Sequence, residues 1–148
     1  MDETSEVEAV VRSLLTQPTL FLSTSAEGEP WGAGAFFVES GLFTLSLGLE
    51  LHGRTLTNIR NNPRVALVVS NGNPFEPFLQ GAADAEVLDD DALEVTAASL
   101  LAKAPQIEPF LGAPMAAVRL HVRSWRATDV ANGWLPGREI QAPASSEA

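Results

Sequence analysis

Between Leu51 and Arg64 the chain carries His52, Arg54, Arg60 and Arg64 and no acidic residue. Over its whole length it has nine Lys and Arg against nineteen Asp and Glu, a net charge of -10, so a purely basic run stands out from its background. Around the start of that run, Ser46, His52, Gly53, Arg54 and Thr55 lie where a strand pattern gives way to a helix pattern. Hydroxyls, a cation and the free N–H groups of a helix start suit one phosphate, because directed donors and the helix dipole favour an anion. The same residues also make an ordinary solvated helix start with a surface arginine. Spacing alone leaves both readings open.

The other groups with chemical potential point less far. Arg119, His121 and Arg123 alternate along one strand and read as a solvated or dimer-facing stripe, the usual fate of charge. Asp89-Asp90-Asp91 lacks the glycine and closing glutamate of a calcium loop and reads as a helix cap. The absence of cysteine excludes disulfides, thiolate metal sites and cysteine nucleophiles. With two histidines, and neither HExxH nor GxSxG, no metal site, zinc hydrolase or serine esterase is expected. Gly32-Ala33-Gly34 lacks the third glycine and following helix of a dinucleotide fingerprint. Trp31, Trp125 and Trp134 read as core or interface anchors. Redox chemistry would need a borrowed cofactor.

The elements that must hold these residues follow from periodicity. Val7, Val10, Val11, Leu14 and Leu15 share a helical face, with Ser5 and Glu8 at capping-box spacing. Strands are expected over Thr19–Ser25, Trp31–Val38, Leu42–Leu47, Val65–Ser70, Phe78–Leu88 and Met115–Trp125, with turns at Glu27-Gly28-Glu29-Pro30 and Asn71-Gly72-Asn73-Pro74. Leu56 and Ile59 give the stretch from Leu51 to Asn62 a helical period that stops before Pro63. A further helix is expected from about Asp91 to Pro105. Gly32, Ala33, Gly34 and Ala35 are uniformly small, which marks either close approach by a ligand or another backbone, or a tight barrel bend. Six strands with short flanking helices describe an α+β domain closing into a small antiparallel barrel.

Length and composition bound the rest. The 148 residues suit one domain, 1–148, with a core over about 5–130; the segment from about 130 to 148 is expected to be partly mobile, above all its end Ala142–Ala148. Hydrophobic residues at 45% and charged residues at 19% fit a packed domain. The negative balance disfavours nucleic acid and anionic membrane surfaces. An acidic N-terminus and the lack of any long apolar run give a cytoplasmic expectation. One lysine against eight arginines, with abundant alanine, accompanies GC-rich bacterial genomes.

The runs Phe21-Leu22-Ser23-Thr24, Gly28-Glu29-Pro30, Ala35-Phe36-Phe37-Val38, Gly41 to Ser46 and Arg54 to Leu67 resemble, in order and spacing, the N-terminal block of the pyridoxamine-phosphate-oxidase-like family. Asn58-Ile59 with Asn62-Pro63-Arg64-Val65 is the most specific part. Gly81-Ala82-Ala83, Val87, Asp89-Asp90 and Leu100 to Pro105 resemble the second half, so the likeness covers about 17–128. It implies a six-stranded, FMN-binding split barrel that works as a homodimer on a small-molecule substrate, as a flavin-dependent oxidoreductase or flavin carrier. It also implies a flavin in each of two clefts between subunits, bordered by Ala35, Phe36, Ser46, His52, Arg54 and Thr55. Thr55 stands where many members carry Lys or Arg, leaving Arg54 as the cation. A deazaflavin-dependent reductase and a dimeric scaffold without cofactor are the alternatives. A haem-binding relative ranks third, after FMN and deazaflavin, because that branch has histidine immediately before threonine and this chain has His52-Gly53-Arg54-Thr55.

Overall fold

The computed structural model describes residues 2–144. Strands β1 (Thr19–Ala26) and β2 (Glu29–Glu39) form a hairpin. Its two turn residues, Glu27 and Gly28, have φ of 53° and 82°, the left-handed pair that matches the twist of antiparallel strands. Strands β3 (Thr44–Glu50), β4 (Arg64–Val69), β5 (Phe78–Val87), β6 (Met115–Asp129) and β7 (Trp134–Gln141) complete one antiparallel sheet in the order β3-β2-β1-β4-β5-β6-β7. Pairing of β3 with β6 closes the first six into a barrel. The 15-residue β6 makes this possible: Met115–His121 pairs with β3, and Ser124–Asp129 with β7. The expected α+β split barrel is present, with a seventh strand added outside it.

The core follows from alternation. Leu20 and Leu22 of β1, Leu45 and Leu47 of β3, and Val118, Leu120 and Val122 of β6 are all buried, since successive strand residues point to opposite faces. Trp125 is fully buried, its Nε1 donating to the Leu42 carbonyl at 2.6 Å. Its ring lies so close to Gly81 that a Cβ there would sit 2.7 Å from Cζ3. On the opposite face, His121 reaches Glu86 at 2.9 Å and Arg123 reaches Asp84 at 3.2 Å, so the basic stripe is met by acidic neighbours on β5.

Three helices flank the barrel: α1 (Glu3–Leu14), α2 (Arg54–Asn61) and α3 (Leu93–Lys103), the last preceded by a 3₁₀ turn at Asp90–Ala92. Asp2, rather than Ser5, caps α1, accepting the Ser5 N–H at 2.8 Å; that bond holds the Asp2 carboxyl below its ordinary pKa. Both residues are good caps three positions apart, and the chain uses the earlier one. Helix α2 is pinned by the motif that carries the family likeness. Asn58, buried, donates to Thr24 Oγ1 at 3.0 Å, and Asn62 donates to Ser25 Oγ at 3.2 Å while its Oδ1 accepts the Arg64 N–H. At the C-terminus of α3, Lys103 joins three elements: Nζ lies 2.7 Å from Glu39, donates to the Leu15 carbonyl at 2.8 Å and sits 3.6 Å from the centre of the Phe37 ring.

Strand β7 falls in the segment expected to be a tail. Pro136-Gly137 interrupts its alternation, which conceals it in the sequence, yet an edge strand tolerates proline. Trp134 and Ile140 bury themselves from it. Residues 145–148 of the expected mobile end lie outside the described residues. Among the described residues no helix is long and apolar enough to cross a membrane.

Candidate functional site

The barrel is split between β2 and β3. These strands pair only over Phe37–Glu39 and Leu45–Leu47, whereas Glu29–Phe36 pairs with β1 alone. Where they diverge, a cleft of about 560 Å³ opens, within the ~300–1,000 Å³ usual for small-molecule sites. One wall is Ala33, Gly34 and Ala35 on the free edge of β2. An unpaired edge presents main-chain N–H and C=O groups. A Cβ added at Gly32 would meet nothing within 4 Å, and one at Gly34 nothing closer than 4.0 Å. Packing inside this chain therefore does not explain the two glycines; the space above them is open.

The facing wall holds Glu50, the α2 cap Gly53, Arg54 and Thr55. Gly53 provides no side-chain bond to the first turn of α2, so the N–H groups there remain available. Trp31 ties this wall to β2: its Nε1 donates to Thr55 Oγ1 at 3.2 Å, and the Arg54 guanidinium stacks 4.3 Å from the ring centre. Arg54 makes no ion pair among the described residues. Phe36 and Phe110, 6.3 Å between centroids, form a third side with Ile107 and Met115. Phe21 and Phe110 at the rim are 55% and 60% exposed.

Of the residues expected at a cofactor, Ala35, Phe36, Arg54 and Thr55 line this cleft, and Ser46 and His52 do not. Ser46 lies where β3 is still paired, in register with Val38 and Arg119 on the outward face. His52 is exposed in the turn before α2, and Arg60 and Arg64 are exposed beyond the cleft. The basic run thus contributes one member. Sequence reasoning missed Trp31, Glu50, Phe21, Phe110 and Met115. Trp31 had a usable signal, since it immediately precedes the small residues on one strand; Phe110 and Met115 had none, because only the fold brings them near β2.

A family model for pyridoxamine 5'-phosphate oxidase matches residues 6–129. The chain belongs to that family. Among solved structures it is similar to a heme binding protein from Mycobacterium smegmatis, with 17% identity and TM-score 0.75, covering 95% of this chain and 60% of that one. It is also similar to the general stress protein 26 from Bacillus anthracis, with 15% identity, TM-score 0.70 and coverage of 93% and 99%. An FAD-binding protein from Mesorhizobium loti aligns with 15% identity, TM-score 0.64 and coverage of 85% and 92%. At these identities the likeness is one of fold. No match was found among curated proteins.

Proposed function

We propose that the cleft binds flavin mononucleotide and that the protein acts as a homodimeric, flavin-dependent oxidoreductase on a small molecule. The observation that carries this is the free edge of β2, lined by small residues and facing the open N-terminus of α2 with Arg54. A flavin is planar, with a polar ring edge and a phosphate at the far end. Ala33, Gly34 and Ala35 would offer main-chain groups to the ring edge, Trp31, Phe36 and Phe110 apolar surface, and Arg54 with the first-turn amides of α2 the phosphate. Once bound, the flavin supplies the electron and hydride chemistry. No His, Cys, Tyr or Lys lines the cleft among the described residues, and Glu50 is the carboxylate that does; in this reading the chain's tasks are holding, orienting and excluding water.

The family's other ligands fit less well. Haem would call for an axial ligand such as histidine, and neither histidine lines the cleft. Deazaflavin, with its longer acidic tail, would call for more cations than Arg54. A second copy of the chain would cover the exposed Phe21 and Phe110 and close the cleft from outside.

Titration with FMN tests the phosphate assignment. Arg54→Ala should weaken binding by about 1.5–3 kcal/mol, the range for a hydrogen bond to a charged group, with the fold intact. Thr55→Lys should tighten it by restoring a second cation. Unchanged affinity in both variants would remove the phosphate from the start of α2.

A further inference from the structure

Along β2 the cleft is bounded at two places. At one, β2 and β3 come together over Phe37–Glu39 and Leu45–Leu47. At the other, Trp31 reaches across to α2: its Nε1 donates to Thr55 Oγ1 at 3.2 Å, and the Arg54 guanidinium stacks 4.3 Å from its ring centre. Trp31 is also the last residue of β2, toward the hairpin turn, that lines the cleft. The free edge between these two closures is Gly32–Phe36, which at the rise of a strand spans roughly 16 Å. Backbone pairing at one end and a side-chain bridge at the other give the slot a limited length.

Charge beyond the bridge limits the ligand as well. Glu29, two residues farther along β2, falls on the same strand face as Trp31, and Glu27 follows in the turn; both are exposed, and this part of the hairpin carries no Lys or Arg. Arg54, the cation of the cleft, lies against the indole itself. A phosphate at Arg54 therefore meets a cation and the first-turn amides of α2, whereas a second phosphate past the indole would meet carboxylates. We propose that the Trp31–Thr55 bridge selects a flavin that ends in one phosphate and rejects the dinucleotide FAD, whose adenylate continues from that phosphate into the indole and along the acidic hairpin. This inference rests on the flavin reading and adds a specificity-determining residue to it, Trp31, which acts by obstructing the longer ligand.

The test is a pair of equilibrium titrations, FMN and FAD, on the full-length native chain, Trp31→Ala and Thr55→Val, with thermal melts to establish that each variant is folded. The native chain should bind FMN at least about tenfold more tightly than FAD. Trp31→Ala removes an exposed ring and should raise the affinity for FAD by about tenfold, while that for FMN, deprived of the stack beneath Arg54, stays level or falls. A gain of binding for the longer ligand is not what loss of a merely structural residue produces. Thr55→Val keeps the indole and removes its acceptor; it should raise FAD affinity by a smaller factor, and it keeps the test decisive should Trp31→Ala fail to fold. Equal affinities for FMN and FAD in the native chain, or an FAD affinity that rises in neither variant, would overturn the role of the bridge and leave the flavin reading standing. Saturable binding of neither nucleotide to the native chain would overturn the flavin reading itself, and the bridge's role with it.

Discussion

Arg54 is held at the cleft by stacking on Trp31, whose indole N–H also engages Thr55. A cation so placed gives up less freedom on meeting an anion than one on an unsupported stem. Lys103 presents the opposite case, a charge drawn inward. Burial lowers its pKa below 10.5, against the raising effect of Glu39. The folded chain then binds that proton less tightly than the unfolded chain. Its stability should rise with pH through the interval between the folded pKa and 10.5, reach its full gain above 10.5, and lose that gain as pH falls. The chain has no Cys or Tyr and only this lysine, and arginine stays charged, so the alkaline arm above about pH 9 belongs to Lys103, the α-amino group having titrated near 8. Denaturant unfolding at a series of alkaline pH values should show this rise in the native chain and a flat arm in Lys103→Met. Parallel arms would mean that the lysine is solvated in solution.

At the scale of elements, two glycines in different strands of the sheet have opposite reasons to be glycine. Gly34 on the free edge of β2 has open space above it, whereas Gly81 on β5 lies beneath the Trp125 ring. Gly34→Val should fold normally, because valine suits a strand, and lose FMN affinity by tenfold or more, about 1.4 kcal/mol. Gly81→Ala should leave FMN affinity alone and cost about 1–3 kcal/mol of stability by overpacking. Thermal melts and flavin titrations on the two variants would separate these roles; the same pattern in both would contradict them. The strands β1 to β6 were legible in the sequence because each buries alternate residues, as Val118, Leu120 and Val122 do. Strand β7 was hidden by Pro136-Gly137. The position of the split was hidden for a deeper reason: which part of β2 lacks a partner depends on register with β3, a non-local property. Ala35, Phe36, Arg54 and Thr55, expected together by type and family likeness, line one cleft, while Ser46 stays outside it because β3 remains paired at that residue. Asn58 and Asn62, in the most specific part of the family likeness, fasten α2 so that its N-terminus meets the cleft.

For the whole molecule, charge and shape argue together. A chain of net charge -10 repels an anionic cofactor at long range, so binding depends on the local field of Arg54 and α2, and dissociation should be sensitive to salt. The exposed Phe21 and Phe110 beside the cleft favour a second copy as its cover, and light scattering on the purified protein should give the mass of a dimer at micromolar concentration. Equilibrium titration of FMN into that protein, followed by quenching of the flavin fluorescence, bears most directly on the flavin assignment. Saturable binding with one FMN per chain, two per dimer, is the predicted result. Flavin fluorescence unchanged up to about millimolar protein, a limit of roughly 4 kcal/mol, would contradict it.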